Sequence, residues 1–500
     1  MTSKKILVIL IIIIMTAALF TSCDETDEDT QTTTADSSQQ KEDGGVALLP
    51  DLPDYPDDEW ESESTHALRI LALDWSSDTW SGIWTARDIS AEEETGDPIN
   101  DAVYRRNLAL EEKYNFTIEQ LLVTHPLDSF RHAVAANDDY FDIASILAFT
   151  NFGGISTFAQ EGLLVDLFKV NYLDFEKPWW EQGIIKGTSI GNKLFFASGD
   201  FTLINRDATA VMLFNKGLLK DLRLENPYEL VRNGQWTISK LYEMAKGAAS
   251  DLDGDGQMTL SSDRYGFVMS VFAEGPIGLR LGAGVRHAGI GADGIPVLTF
   301  GSERDYKVID AVNDLWQADF SAVTNNFYGA SWLTQVDSAE YTFAGNRALF
   351  IQTLAQTIEG LRGADIDFGI LPMPRLDETQ KEWAHALDRT FAQAIGIPNV
   401  HSGVALDRIG FMLEAISAES RYTVIPAYYD IQLQGKFVRD EESREMLGII
   451  FNSTVWDPGL VYSWFGVEAF YLDAPSDYER ERGRIEAAMQ ATIDGFKAVE

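Results

Sequence analysis

The sequence predicts an α/β protein in which parallel strands are covered by helices. The apolar run 68–73 suits a buried strand, and the segments 116–122 and 141–147 have the same character. Between the first two runs, residues 100–114 carry apolar side chains at helical spacing. Strand and helix therefore alternate, which is typical of a parallel sheet with helical crossover connections. Ligands of such sheets bind beyond the carboxyl ends of the strands.

A second region of the same kind follows. Thr237 fits the N-cap of a helix that carries Ile238, Leu241 and Met244 at helical spacing. The segment 265–269 then has the apolar character of a strand. Further helices are expected in the C-terminal third, where the last one shows an apolar stripe. The length of the chain suits two or three domains.

The first 23 residues have the features of a signal peptide. Lys4 and Lys5 precede the apolar run 6–20, which is too short to span a membrane comfortably. The run leads to Cys23, the only cysteine, in a stretch that resembles the lipobox of a bacterial lipoprotein, although Phe20 stands where leucine is usual. The resemblance implies that Cys23 is lipidated and that the protein is anchored at the extracellular face of the cell membrane. An ordinary cleaved signal is the alternative.

Residues 24–65 predict a disordered acidic tether. They contain 15 Asp or Glu against one Lys, interleaved with Ser, Thr, Gln and Pro, and cannot bury enough apolar surface to fold. The whole chain has a formal net charge of −39. So acidic a surface excludes binding to nucleic acid.

The stretch DLDGDGQMTLSSD at 251–263 resembles the calcium loop of an EF-hand. Its first three aspartates match loop positions one, three and five, but Ser262 stands where the bidentate glutamate belongs. A strand, not a second helix, is predicted after the loop, so we expect a structural calcium ion and not a sensor. A turn without an ion is the alternative, and no organic cofactor is expected. The expected ligands are Asp251, Asp253, Asp255, Gln257 and Asp263.

Eight short segments in the body of the chain carry a family resemblance. They are RN at 106–107 with LEEKYN at 110–115, GLLVDL at 162–167, GNKLFF at 191–196, FNK at 214–216, NPY at 226–228, GQWT at 234–237, FAGNRAL at 343–349 and GILPMP at 369–374. In this order, behind a lipobox and a tether, they resemble the bacterial extracellular solute-binding proteins (family 1) of carbohydrate ABC importers. The resemblance covers nearly all of residues 66–500.

The resemblance implies a two-lobe, periplasmic-binding-protein-like (type II) fold with hinge crossovers and an inter-lobe cleft. By the pattern of the family, the chain crosses after 191–197, returns near 347–352 and crosses again near 396–398. The implied N-terminal lobe is 66–205 plus 350–397, and the C-terminal lobe is 206–349 plus 398–500.

Candidate ligand-binding residues follow from strand ends and side-chain chemistry. Carboxylates and guanidinium groups suit pairs of hydroxyls, and indoles stack on the apolar faces of sugar rings. One group follows the carboxyl ends of the first-lobe strands, one flanks the first crossover, and three tryptophans would form an aromatic wall. Trp179 and Trp180 are interpreted instead as core residues. The expected ligand-binding residues are Asp74, Trp75, Phe149, Thr150, Asn151, Asp200, Arg206, Trp332, Trp456 and Trp464.

The sequence does not predict an enzyme. It lacks the His-Glu-x-x-His, Gly-x-Ser-x-Gly and Walker motifs, and its six histidines have no metal-ligand spacing. The resemblance implies a monomer that captures a carbohydrate, an oligosaccharide by preference, and delivers it to the permease subunits of an ABC importer. The alternatives are a surface carbohydrate-active enzyme and a sensory binding subunit of a receptor kinase with the same fold. The identity of the ligand stays open.

Overall fold

The computed structural model describes residues 66–76, 84–149, 153–270, 275–324, 338–361, 363–433, 441–466 and 472–498. The signal segment with Cys23 and the tether at 24–65 lie outside these residues. The strands are β1 (His66–Leu73), β2 (Phe116–Val123), β3 (Ile143–Leu147), β4 (Ala210–Asn215), β5 (Tyr265–Ser270), β6 (Ala288–Ile290), β7 (Pro296–Leu298), β8 (Ser321–Thr324), β9 (Ala348–Leu354), β10 (Phe368–Leu371), β11 (His385–Ala386), β12 (Gln393–Gly396) and β13 (Thr454–Val455).

The helices connect and cover these strands, and a 3-10 turn lies at Leu167–Lys169. They are α1 (Pro98–Tyr114), α2 (Pro126–Ala136), α3 (Ile155–Gln160), α4 (Gln182–Thr188), α5 (Ile204–Asp207), α6 (Lys216–Asp221), α7 (Pro227–Arg232), α8 (Ile238–Ala248), α9 (Gly275–Gly282), α10 (Glu303–Trp316), α11 (Ala339–Ala344), α12 (Gln356–Leu361), α13 (Gly403–Tyr422), α14 (Val424–Leu433), α15 (Glu441–Phe451), α16 (Pro458–Val461) and α17 (Pro475–Ala498).

The first sheet has the strand order β12-β3-β1-β2. β1 is parallel to both of its neighbours, with Leu71 opposite Leu121 of β2 and Ile70 opposite Ile143 of β3. β12 runs antiparallel to β3. The predicted parallel arrangement is confirmed. Most residues of β1 and β3 are buried, as expected for the inner strands of a sheet covered by helices.

Helix α1 fixes the segment that precedes it. Asp97 caps the helix by accepting from the N–H groups of Ile99 and Asn100 at 3.0 and 2.9 Å. Arg106 is fully buried in the same helix and donates to the carbonyl of Ile89 at 2.7 Å. These contacts tie the segment 84–97 to the first sheet.

The second sheet has the order β10-β4-β9-β5-β8. β9 lies in the middle, and each of its seven residues is buried. It is parallel to β5, with Phe350 opposite Phe267, and antiparallel to β4, with Gln352 opposite Met212. The two sheets with their covering helices form a two-lobe α/β architecture, as predicted.

The strand pairing differs from the expected division of the chain. The N-terminal lobe was expected to contain 350–397, yet β9 and β10 both pair within the second sheet. The chain therefore returns to the first sheet later, between β10 and β12. β9 is paired on both edges, with β4 and with β5, and this places it inside the second sheet.

The C-terminal region also differs from that division, which assigned 398–500 to the second lobe. Helix α13 packs against α1 and β1, and α14 packs against α1. These contacts place both helices beside the first sheet.

The apolar stripe predicted for α17 is confirmed, since Ile485, Ile493 and Phe496 are buried. The ring of Phe496 meets that of Phe195 edge-on, with the ring centroids 4.7 Å apart. Among the described helices, none combines the length and the apolar composition that a membrane-spanning helix requires.

Candidate ligand-binding site

Asp74 and Trp75 lie directly beyond the carboxyl end of β1. Asp74 accepts hydrogen bonds from the backbone N–H and the hydroxyl of Ser76 at 2.9 and 2.6 Å, which lower the pKa of its carboxyl. The backbone N–H of Trp75 donates to the Thr85 hydroxyl at 3.1 Å. Trp75 is half-buried, and its ring meets that of Phe391 edge-on, with the ring centroids 5.6 Å apart. The turn therefore holds an indole in place and leaves part of it accessible.

A cavity of about 250 Å³ opens beside Trp75, and we name it the carboxyl-end cavity. It lies where β1, β2 and β3 end, so its wall comes from the strands and connections of the first sheet. Its lining combines aliphatic side chains with polar side chains of the β2–α2 connection and of α2. Its lining includes Leu73, Trp75, His125, Asp128, Arg131 and Leu147.

Phe391 is a member of this region that the sequence did not reveal. Trp84 stacks on it with a centroid distance of 4.0 Å and an interplanar angle of 4°. Trp75 and Trp84 thus contact one ring that lies more than 300 residues further along the chain. No local pattern around Phe391 marks it, because its role depends on the path of the chain before β12.

The structure places Trp456 and Trp464 in the core, away from any exposed wall. Trp456 is 2% exposed, stacks on the buried Phe149 at 5.8 Å, and donates its indole N–H to Glu181 at 2.5 Å. Trp464 is fully buried and donates to the Thr492 hydroxyl at 2.9 Å. Thr150, Asn151 and Trp332 lie outside the described residues.

Asp200 and Arg206, which flank the passage between the sheets, do come together. Arg206 donates to one carboxylate oxygen of Asp200 at 2.5 Å, and Arg421 at the end of α13 donates to the other at 2.8 Å. Burial lowers the pKa of Arg206, but Asp200, Tyr429 and Tyr428 together hold that pKa above its ordinary value. Gly199 lets the crossover pass close to the backbone of Trp179, since a Cβ there would lie 2.5 Å from the Trp179 carbonyl oxygen.

These groups line a second cavity of about 270 Å³, which we name the crossover cavity. Four parts of the chain form it: residues 178–183 at the start of α4, the crossover 198–209, the end of α13, and residues 451–454 at the end of α15. It shares no lining residue with the carboxyl-end cavity. Its lining includes Trp180, Glu181, Asp200, Arg206, Arg421 and Asn452.

A second charge network uses the neighbour of Arg206. Asp207 accepts from Arg87 at 3.3 Å and from the Tyr428 hydroxyl at 2.9 Å. Arg87 also pairs with Glu359 of α12 at 3.2 Å. Burial raises the pKa of Asp207 to about 6. Because Arg87 is tied to the first sheet and α12 follows β9 of the second, this network joins the two lobes through the crossover.

Trp179 and Trp180 are core residues, which confirms their interpretation from the sequence. They are 3% and 2% exposed, and both indoles donate to the carboxylate of Glu414 on α13, at 3.0 and 2.9 Å. Their common partner explains why two adjacent tryptophans follow Pro178.

The calcium-like loop brings three of its carboxylates together. Ligand atoms of Asp251, Asp253 and Asp263 all lie within 4.8 Å of one another. Asp255 instead accepts from the N–H of Gln257 at 2.7 Å. Asp263 is buried and accepts from two backbone N–H groups, which lower the pKa of its carboxyl. The oxygen-only donor set suits Ca²⁺.

Comparison with known proteins gives structural matches only. No protein-family model matches the sequence, and no curated protein does so either. A sugar transporter protein from Rhizobium etli, in an open conformation, matches with a TM-score of 0.52 at 12% identity over 87% of this chain and 100% of the other. UspC of M. tuberculosis matches with a TM-score of 0.51 at 13% identity, over 86% and 100% of the chains.

A cyclo/maltodextrin-binding protein in complex with maltotetraose matches with a TM-score of 0.50 at 12% identity, over 88% of this chain and 98% of the other. Nearly the whole length of each of these proteins is therefore covered. At such low identity the matches show the fold, which is the two-lobe, periplasmic-binding-protein-like fold predicted from the sequence.

Proposed function

We propose that the protein is an extracellular binding protein that captures a carbohydrate between its two lobes and delivers it to the permease subunits of an ABC importer. The observation that carries the proposal is the fold, which this chain shares along nearly its whole body with a sugar transporter protein and with a maltodextrin-binding protein that holds maltotetraose. Cys23 would anchor the protein by lipid, and the acidic tether would hold the two lobes away from the membrane.

The first-lobe half of the sugar site would be the carboxyl-end cavity. A half-buried indole at the end of a parallel strand offers an apolar face to a sugar ring, and Asp74 beside it offers acceptors for hydroxyls. The second-lobe half would follow the carboxyl ends of β5 and β8. These strands lead into 271–274 and 325–337, which include Trp332 and lie outside the described residues.

Capture would depend on closure of the lobes around the crossover. A ligand that touches both lobes gains contacts in the closed arrangement that the open arrangement lacks, so it shifts the population toward closure. The network of Arg87, Asp207 and Glu359 ties both lobes to the crossover and limits how they can rotate. Transport by such a protein requires no chemical step on the sugar.

A thermal-shift screen against maltose, maltotetraose, raffinose and other oligosaccharides would test the proposal, followed by calorimetry on each hit. We expect saturable binding with one sugar per protein and no product by chromatography. Trp75→Ala should weaken binding by about 2 kcal/mol or more, as the loss of an aromatic anchor usually does. The matched control is Trp383→Ala, which removes an indole that stacks with Arg375 elsewhere.

Three results would contradict the proposal or its site. Steady release of shorter sugars would indicate the surface enzyme instead. If no carbohydrate stabilises the protein or releases heat on mixing, the proposal that its ligand is a sugar is contradicted. Equal affinities of the Trp75→Ala and Trp383→Ala variants would show that the carboxyl-end cavity is not the site.

We further propose that the loop 251–263 holds a structural calcium ion through Asp251, Asp253 and Asp263. The support is the convergence of three carboxylates within 4.8 Å. Because the loop lies between α8 and β5, the ion would stabilise their junction and would not act on the sugar site.

A further inference from the structure

We propose that a groove on the second lobe binds a phosphate monoester that carries a small apolar group. The groove has a volume of about 330 Å³, which lies within the usual range for ligand pockets. It shares no lining residue with the carboxyl-end cavity or the crossover cavity, so the proposal does not depend on the carbohydrate site. We name it the basic groove, and its lining includes Lys216, Leu219, Lys220, Arg223, Leu224 and Tyr228.

The basic groove lies at the end of the second sheet that is away from the crossover. Strand β4 leaves the crossover at Ala210, opposite Leu354 of β9, and its last residue, Asn215, is followed by Lys216 of α6. The length of this strand places α6 about 17 Å beyond the crossover. β9 is antiparallel to β4, and β5 is parallel to β9, so the carboxyl end of β5 lies at the crossover end of the sheet. The basic groove is therefore remote from the region proposed to bind the sugar.

Part of the lining is apolar. The ring of Tyr228 is 2% exposed and meets that of Phe214 edge-on, with the ring centroids 5.2 Å apart. Leu219 and Leu224 are half-buried and line the same groove. The ammonium of Lys216 lies 5.8 Å from the centroid of the Tyr228 ring, so charge and apolar surface adjoin. Such a lining suits a ligand that joins an anionic group to a small ring or an alkyl chain.

Two of the cations are available to a ligand. Lys220 and Arg223 are exposed, and among the described residues neither forms an ion pair with an acidic side chain. Glu442, the acidic residue of the lining, is engaged by Arg232 at 3.3 Å. The basic groove therefore keeps an excess of positive charge, in a chain with 78 acidic and 39 basic residues.

Arg223 holds a backbone conformation that usually belongs to glycine. It follows α6 with a φ of 56°, and its N–H donates to the carbonyl of Lys220 at 3.1 Å, which closes the helix. Helices α1 and α2 are closed in the same left-handed conformation by Asn115 and Asn137. Asparagine tolerates this conformation, whereas a larger side chain is strained in it. A residue type that destabilises the turn, and whose side chain lines a groove, points to a role in binding.

The pair of Lys216 and Lys220 is a second unfavourable feature. These lysines lie four residues apart on α6, hence on one face, and like charges at this spacing destabilise a helix. A bound anion offsets both features, because it reduces the repulsion between the lysines and gives the guanidinium of Arg223 a partner. A phosphate monoester near neutral pH carries a charge of about −1.5 to −2 and three strong acceptor oxygens, which matches several cations better than a carboxylate does.

Calorimetry of the full-length protein with phenyl phosphate, near neutral pH and at low salt, tests the site. We expect saturable binding of one ligand per protein, which weakens at high salt because exposed charges are screened. Lys220→Gln and Arg223→Gln should each weaken binding about tenfold or more, since each removes hydrogen bonds to a charged group. Benzoate, which has the same ring and less charge, should also bind about tenfold more weakly.

The chemistry of the ligand occurs both in soluble phosphate esters and in the headgroup of phosphatidic acid. Dihexanoyl phosphatidic acid, a short-chain form that dissolves in water, is therefore titrated alongside phenyl phosphate. Tighter binding of this lipid supports the site and assigns it to a headgroup. Tighter binding of phenyl phosphate supports the site and assigns it to a soluble ester.

A matched pair of double variants separates the basic groove from general electrostatics. Lys220→Gln with Arg223→Gln removes two charges from the groove, whereas Arg105→Gln with Arg482→Gln removes two charges from exposed ion pairs on α1 and α17. The first pair should lose binding, and the second pair and Trp75→Ala should bind as the native protein does. Arg223→Gly should lose affinity and yet raise the Tm, because glycine adopts this φ without strain.

The proposal is overturned if neither phosphate compound binds saturably, or if both double variants bind phenyl phosphate equally well. An Arg223→Gly variant that keeps the native affinity would overturn it too, because the guanidinium would then have no part in binding.

Discussion

The buried carboxyl of Glu414 should make the stability of the protein depend on pH. One of its oxygens accepts the indole N–H of Trp179 at 3.0 Å, and the other accepts that of Trp180 at 2.9 Å and the backbone N–H of Asp174 at 3.3 Å. Glu414 is only 2% exposed. Burial raises the pKa of its carboxyl to about 7, although the three donors act to lower it.

The sign of the effect follows from the two protonation states. The ordinary pKa of the side chain is 4.5, so between pH 4.5 and 7 the folded protein holds this proton more tightly than the unfolded chain does. The stability that the group contributes is therefore fully present below pH 4.5 and is lost as pH rises through 7. Linkage with these two values gives a loss of about 2.5 kcal/mol between pH 5 and pH 8.

Urea denaturation of the native protein and Glu414→Gln at pH 5, 6, 7 and 8 measures this loss. Other groups titrate equally in both proteins, so the difference in unfolding free energy isolates Glu414. It should shift by about 2.5 kcal/mol in favour of the variant as pH rises from 5 to 8. Trp179→Phe, which removes a donor to the carboxylate, should move the window to higher pH. A difference that stays constant within about 0.5 kcal/mol over this range would refute the reasoning.

Three further predictions concern the core, the loop and the N terminus. Trp456→Ala should destabilise the protein by about 3–5 kcal/mol in urea, because a buried indole is lost; a change below about 1 kcal/mol would contradict its place in the core. Calcium at a hundredfold excess over Kd should add about 2.7 kcal/mol of stability, seen as a higher Tm that chelator reverses; Asp253→Asn should abolish this effect and Asp255→Asn should retain it. Equal responses of the two variants would exclude the three-carboxylate site. Cys23→Ala should move the protein from the membrane fraction to the soluble fraction, and unchanged membrane association would exclude lipidation.

The strands of the first sheet could be predicted from the sequence because their signal is local. The run 68–73 and the segments after it are apolar over their whole length, and alternating helices then imply parallel pairing. The lobe to which β9 belongs could not be predicted in this way. Its membership depends on register with β4 and β5, which lie far earlier in the chain, at Ala210–Asn215 and Tyr265–Ser270, and apolar composition carries no register.

In the candidate site, the sequence could predict only those residues whose role follows from their position at the end of a strand. Trp75 follows β1 directly and is half-buried, as its place at a strand end implies. Trp456 and Trp464 have the same chemistry but lie in the core, because an indole serves packing and stacking equally well. In the calcium-like loop, the third member of the cluster is Asp263 and not Asp255, because the chain folds back through hydrogen bonds to Leu252 and Thr259.

The crossover helix α5 is where the electrostatics of both lobes meet. Arg206 and Asp207 are adjacent on one turn, yet Arg206 joins Asp200 and Arg421 while Asp207 joins Arg87 and Tyr428. Buried charges of this kind contribute little net stability, because desolvation offsets their attraction. They do fix direction, since each ion pair tolerates only a narrow range of geometry. A rotation of the lobes that turns α5 must therefore change both networks together, and this couples the crossover cavity to the Arg87 network that joins the lobes.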